Sequence, residues 1–194
     1  MISLVLGLGN IGRRYEKTRH NVGFEVLNLV FEKLEARRQK PAREYEWAVK
    51  AMASRIIILA WPKTFMNQSG LAAQALLHRE NLEPADMLVV VDDFNLPLGR
   101  LRFREEGSDG GHNGLESLIT VLGTRAFPRL RLGIGPIPPG EPDSTAFVLS
   151  KFGRGEAATV KKMVAFAAEA VIFALHNRLE EAMSKFNINP ALPQ

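Results

Sequence analysis

The chain has 194 residues, with 25 Lys and Arg against 21 Asp and Glu, a net charge of +4 and no cysteine. That length suits one domain with a full core, and the missing thiols exclude disulfides and thiolate metal sites and fit a cytoplasmic protein. No apolar run is long enough to span a bilayer, the N-terminus enters a strand without a basic leader, and the surplus of positive charge points mildly to a polyanionic partner.

The first apolar run, Ser3 to Gly7, predicts a buried strand. It leads into Gly7-Leu8-Gly9-Asn10-Ile11-Gly12, whose three glycines fit the dinucleotide fingerprint. That fingerprint requires a helix to open at once and catch the pyrophosphate. Residues 13–20 have no apolar face, and helical periodicity begins only at Val22, so the dinucleotide reading is a distant one. A helix is predicted over Val22 to Arg38, with Leu27, Val30, Phe31 and Leu34 on one stripe.

A half-exposed strand is predicted around Tyr45 to Ala53 and buried strands at Ile56 to Ala60 and Met87 to Val91. Helices are predicted at Ser69 to Glu80, Gly114 to Leu122, Glu156 to Leu175 and Leu179 to Lys185. Arg100, Arg102 and Arg104 alternate with apolar residues, as do Arg129 and Arg131, so two strands each carry guanidinium groups on one face. A solvated face explains either strand alone; both together, with Arg13, Arg14, Lys17 and Arg19, favour phosphate binding, for which the planar Arg fork is suited. Pro136 to Pro142 reads as irregular. Residues 1–187 are taken as one domain and 188–194 as a frayed tail.

Polar residues follow three of these strands. Asn10 comes after the first, Asn67 after Ile56 to Ala60, and Asp92 directly ends Met87 to Val91. If the strands run parallel, all three reach one sheet edge, where open α/β sheets gather ligands.

Six stretches, Gly7 to Gly12 with Tyr15, Thr18-Arg19-His20-Asn21, Thr64-Phe65-Met66-Asn67-Gln68-Ser69-Gly70, Asp92-Asp93-Phe94-Asn95-Leu96-Pro97-Leu98-Gly99, Gly110-Gly111-His112-Asn113-Gly114-Leu115, and Arg129 to Gly135, stand out together. In them the chain resembles bacterial peptidyl-tRNA hydrolases. The stretches fall in family order and spacing over residues 1 to about 150. The resemblance implies an α/β single domain, a mixed twisted β-sheet flanked by helices on both faces, acting as a monomer; the absence of cysteine and of ligand-spaced histidines leads to the expectation of no metal or organic cofactor. It implies cleavage of the ester joining a peptide to the 3′ ribose of tRNA.

Ester hydrolysis needs an activated water, a group to take its proton and donors for the oxyanion. His20 is the candidate base and Asp92, by the family match, its orienting partner. Asn21 is read as N-cap of the helix that starts at Val22, whose positive end would keep His20 neutral. By resemblance Asn10 senses whether the substrate amine is blocked, Asn67 and Asn113 position the acyl group, water or ribose, and Tyr15, Phe65 and His112 border the cleft. Arg102, Arg104 and Arg131 would face tRNA phosphate. The competing readings are that Asn67 or Ser69, and Asn113, merely cap the helices that follow them, and that turn geometry alone holds His112. No ligand-spaced histidines suggest a metal.

Two segments depart from the family's usual wording: Asp93-Phe94-Asn95 stands where Glu-Leu-Asp is common, and the 104–111 loop carries Glu105, Glu106 and Asp109. The rival function is that of a catalytically silent RNA-binding relative of the same fold. Retention of both His20 and Asp92 counts against it.

Overall fold

The computed structural model describes residues 1–53, 55–137, 140 and 144–187. Its elements are β1 (Leu4–Gly7), α1 (Val22–Leu34), β2 (Arg37–Arg38), β3 (Tyr45–Met52), β4 (Arg55–Pro62), α2 (Ser69–Glu80), β5 (Met87–Pro97), β6 (Leu101–Arg104), α3 (Asn113–Leu122), β7 (Arg129–Gly135), α4 (Ser144–Leu149), α5 (Ala157–His176) and α6 (Leu179–Phe186). The strands form one seven-stranded sheet in the order β2-β3-β4-β1-β5-β7-β6. β4, β1, β5 and β7 run parallel, and β2, β3 and β6 join antiparallel at the margins.

The continuous apolar runs are buried on both sides because side chains alternate across a strand. In β1, Val5 joins Ile57, Leu59, Leu88 and Val90 beneath α1, α5 and α6. Its neighbours Leu4 and Leu6 join Ile58, Ala60, Met87, Val89 and Val91 beneath α2 and α3. Helices therefore cover both faces, as the resemblance implies. α1 comes unusually close to the sheet: a Cβ at Gly23 would lie 2.6 Å from the carbonyl oxygens of both Leu8 and Val90. Only a residue without a side chain permits that approach, and it sets the end of α1 against the sheet edge where the polar residues gather.

Both edge strands are protected. β2 is two exposed arginines long. At β6 the Asn187 side chain pairs with the backbone of Phe103, accepting its N–H at 2.6 Å and donating to its carbonyl at 3.1 Å. One side chain thus satisfies edge groups that would otherwise invite another strand.

Most element boundaries agree with the sequence reading to within two residues, and the larger departures are these. α1 stops at Leu34 because Glu35 takes a left-handed conformation, φ 50°, and the chain turns back into β2; the amphipathic stripe ends there too, so the expected extension to Arg38 had no apolar face to support it. β5 continues six residues past Val91 to Pro97, with an irregular register after Asp93, so Asp92 sits inside the strand rather than at its end. α4 was not predicted; six residues are too few to display a helical period. Most of the expected irregular stretch from Pro136 to Pro142, and the expected tail from 188, lie outside the described residues.

Candidate active site

No helix opens after the glycines. Residues 13–15 and 19–21 form short 3₁₀ turns, Gly12 takes φ 104°, and α1 begins only at Val22. The loop instead brings His20 past the carboxyl end of β1 and over Asp92, midway along β5. There His20, Asp92 and His112 are all buried, at 6%, 2% and 7% exposure.

Their hydrogen bonds assign each proton. His20 Nδ1 lies 3.0 Å from both Asp92 oxygens, and His112 Nε2 lies 3.0 Å from Asp92 Oδ1. On its other side, His112 Nδ1 accepts the backbone N–H groups of Gly114 at 3.1 Å and Leu115 at 3.3 Å, which makes His112 the N-cap of α3. A nitrogen that accepts two N–H groups cannot carry a proton, so the His112 proton is on Nε2 and is donated to Asp92. Burial alone would raise the Asp92 carboxyl; the two imidazoles beside it overcome that and hold it far below the usual carboxylate range. As an ionised acceptor Asp92 requires His20 to donate from Nδ1. The free lone pair of His20 is then on Nε2.

Burial favours the neutral form of His20, yet the adjacent Asp92 charge and hydrogen bond win, and its pKa is raised. The expected neutralising influence of the α1 terminus is outweighed, because a carboxylate in contact acts more strongly than a partial charge at a helix end. His20, Asp92 and His112 also have the donor types of a metal site, all within 4.8 Å. A cation there would need the His112 Nε2 lone pair, and moving that proton to Nδ1 would displace both α3 amides. The donor set therefore fits a hydrogen-bonded triad better than a metal.

The Asn21 side chain caps nothing on α1. Its oxygen accepts the Asn10 N–H at 2.8 Å and its amide donates to the Asn10 carbonyl at 2.9 Å, clamping the Asn10 backbone. The Asn10 side-chain oxygen in turn accepts the Met66 N–H at 2.9 Å. That bond fixes the flip of the amide and leaves the NH₂ of Asn10, a pure donor, as its functional end.

Asn10, Tyr15, His20, Phe65, Asn67, His112 and Asn113 all line one cleft of about 270 Å³. All seven cleft residues expected from the resemblance are thus brought together, with Asp92 behind His20. Asn67 and Asn113 are exposed, and neither caps: His112 caps α3, while α2 follows Gln68 without a side-chain cap and Ser69 Oγ donates back to the Met66 carbonyl at 2.8 Å. Sequence reading missed Phe94, Gly111 and the α4 wall of Ser144, Thr145, Val148 and Leu149. The only local signal for that wall is the short apolar run Phe147-Val148-Leu149.

The arginines part company. Arg102 faces Arg131 and Arg104 faces Arg129 across β6 and β7. Arg129 is 1% exposed and its guanidinium donates to the carbonyls of Gly107, Ser108, Arg125 and Phe127. Burial, with Arg131 nearby, lowers its pKa to about 10. It organises loops and cannot reach phosphate. Arg131 forms an ion pair with Asp93, the position where the family motif varies. Arg19 is also buried and engaged, so of the N-terminal cations only Arg13, Arg14 and Lys17 remain exposed.

Comparison with known proteins gives the family and agrees with the fold. A family model described as peptidyl-tRNA hydrolase matches residues 4–193. Peptidyl-tRNA hydrolases from Synechocystis and Aquifex aeolicus are 44% and 42% identical over 98% and 96% of this chain, covering 98% and 96% of their own lengths. The crystal structure of the Acinetobacter baumannii enzyme superposes with a TM-score of 0.89 at 28% identity, covering 96% of this chain and 95% of that one. A peptidyl-tRNA hydrolase solved with N-propanol gives 0.90 at 27% identity, covering 98% and 96%. The chain belongs to the peptidyl-tRNA hydrolase family.

Proposed function

We propose that this protein hydrolyses the ester between the peptide and the 3′ ribose of tRNA, recycling peptidyl-tRNA, with His20 as general base and Asp92 as its orienter. The observation that carries the roles is the His20 Nδ1 to Asp92 contact at 3.0 Å, which leaves Nε2 as the basic atom of a cleft residue. Water bound at Nε2 loses its proton to the imidazole as its oxygen attacks the ester carbonyl. The imidazolium, stabilised by Asp92, then returns the proton to the departing ribose oxygen. The Gly114 and Leu115 amides of α3 are engaged by His112, and the side-chain amides of Asn67 and Asn113 serve as neutral donors for the oxyanion and ribose.

Asn10 supplies selectivity. Its donor-only NH₂ can bond the carbonyl of an acylated amine, whereas a free α-ammonium, also donor-only, would meet it donor to donor. Tyr15, half-exposed Phe65 and His112 border the acyl and terminal-nucleotide positions. Arg104, with Arg102 and the partly neutralised Arg131, faces the tRNA phosphates. The protein acts as a cytoplasmic, single-domain monomer without metal or organic cofactor; no described helix is long and apolar enough to cross a membrane.

The deciding experiment incubates the protein with N-acetyl-aminoacyl-tRNA beside free aminoacyl-tRNA. Rapid release from the first and little from the second is expected. Binding of tRNA with no release from either would leave a silent RNA-binding protein instead.

A further inference from the structure

The motif Thr18-Arg19-His20-Asn21 places four side chains in four directions. His20 reaches Asp92, Asn21 reaches Asn10, and the Thr18 hydroxyl donates to the Tyr15 carbonyl at 2.8 Å. Arg19 turns away from the cleft and is used nowhere in the hydrolysis described above. Its side chain is only 9% exposed.

The guanidinium joins segments that are otherwise far apart in sequence. It donates to both carboxylate oxygens of Glu156 at 3.0 and 2.7 Å, to the Ile134 carbonyl at 3.3 Å and to Ser150 Oγ at 3.3 Å. The rings of Phe147 and Phe152 lie 4.5 and 4.7 Å from its central carbon. The backbone repeats the attachment: the Arg19 N–H donates to the Ser150 carbonyl at 2.9 Å, and Ser150 Oγ donates to the Phe147 carbonyl at 2.7 Å. Glu156 is anchored as well, accepting the Gly153 N–H at 2.6 Å.

These partners surround α4, the helix that walls the cleft. At six residues it is too short to be stable by itself, so its position depends on what holds it. Arg19 holds its C-terminal end through Phe147 and Ser150, and the next residue in the chain is His20. The base and the facing wall are thereby fixed by one side chain.

We propose that Arg19 is a positioning residue for ester hydrolysis: clamped to Glu156, it fixes the α4 wall relative to His20, setting the cleft geometry in which the acyl group meets the activated water. Its planar fork is what the site needs. A lysine keeps the charge but cannot engage both Glu156 oxygens, the Ile134 carbonyl and two aromatic faces at once.

This inference rests on the proposed hydrolase activity, so the test begins with wild-type turnover of N-acetyl-aminoacyl-tRNA. Absence of that turnover would remove the activity itself and leave the clamp without a reaction to serve. Given turnover, Arg19→Lys and Glu156→Gln are compared at temperatures well below their melting transitions, with folding verified by circular dichroism. Loss of registry on the order of 1 Å costs up to about 100-fold, so Arg19→Lys should lower kcat by roughly 10- to 100-fold. Glu156→Gln, which cuts the pair at its more exposed end, should lower kcat less and in the same direction. Inhibition by deacylated tRNA and the midpoint of the pH–kcat curve should stay at wild-type values, because neither the phosphate face nor the His20–Asp92 pair is touched. Folded variants with wild-type kcat would reduce Arg19 to a stabilising residue. A loss confined to tRNA affinity would equally overturn the proposal. Should Arg19→Lys not fold, Glu156→Gln decides by the same criteria.

Discussion

Two regions of the sheet carry its notable polar side chains, and they treat charge differently. Just past the carboxyl end of β1 and midway along β5, His20, Asp92 and His112 are buried together, and each proton follows from a geometric constraint. Along β6 and β7, four arginines occupy paired positions of one ladder, yet one is buried on carbonyls, one is paired to Asp93 and Arg104 has no ion pair among the described residues. The first region is defined by mutual contacts within it. The second is defined by what other segments lay over it: the 107–108 and 125–127 loops over Arg129, and Asp93 over Arg131. A strand's period states which face a side chain takes but not what covers that face.

The sharpest test of the first region is His20→Ala. A general base contributes about 10²- to 10⁴-fold, so kcat should fall by that order while tRNA affinity is unchanged. Near-normal turnover would sink the assignment. Asp92→Asn should also cost a large factor, because its amide can donate to Nδ1 and drive the proton to Nε2, the wrong tautomer. The pH dependence has a definite sign. His20 must be unprotonated to act and its pKa is raised by Asp92, so kcat should fall toward acid with a midpoint above the usual value of about 6.5. In any residual activity of Asp92→Asn that midpoint should move to lower pH; a midpoint that stays put would separate the limb from the pair.

The corresponding test of the second region reads stability instead. Arg129→Met should fold less stably by about 3 kcal/mol in urea titration, because the buried Phe127 carbonyl and the partly covered carbonyls of Gly107, Ser108 and Arg125 all lose their donor. Its effect on the salt dependence of substrate binding should be negligible. A clear change in that salt dependence with stability intact would show that Arg129 leaves its loops to meet RNA.

Particular residues explain how much of this was legible. The central strands were readable because their apolar runs are long enough to be buried, and Asn10, Asn67 and Asp92 because each follows such a strand, whereas Tyr15, Phe65, His112 and Asn113 were placed at the cleft only by the family resemblance. The double role of His112 was not readable, since its two bonds depend on Asp92, 20 residues away, and on the trajectory of α3. Nor was the fate of Arg129, whose partners come from loops with no pattern of their own. Arg19 lies in the Thr18-Arg19-His20-Asn21 motif, but its partner Glu156 is 137 residues further on. Charge counts cannot supply such pairings.

A smaller effect should appear at the cleft's selectivity. Asn10→Asp keeps an oxygen for the Met66 N–H and replaces the donor by a second acceptor, which welcomes an ammonium. A charge-assisted hydrogen bond contributes roughly 1.5–3 kcal/mol, so the ratio of kcat/KM for free over N-acetylated aminoacyl-tRNA should rise by about tenfold or more. An unchanged ratio would remove Asn10 from the discrimination.

The smallest expected effect separates two arginines of the ladder. Arg104 is half-buried and unpaired among the described residues, so Arg104→Gln removes one phosphate contact: the slope of log affinity against log salt should flatten by roughly 0.7 to 0.9, and KM should rise more than kcat falls. Arg131 behaves differently because it neutralises Asp93, which is 7% exposed. Arg131→Gln strands that carboxylate, so stability falls along with affinity, and adding Asp93→Asn should restore the stability without restoring the salt slope. If the double variant regains the wild-type slope, Arg131 never touched phosphate and its charge serves only Asp93. If Arg104→Gln leaves the slope unchanged as well, the ladder is a solvated edge, and the tRNA body must be held by exposed Arg13, Arg14 and Lys17 beside the cleft.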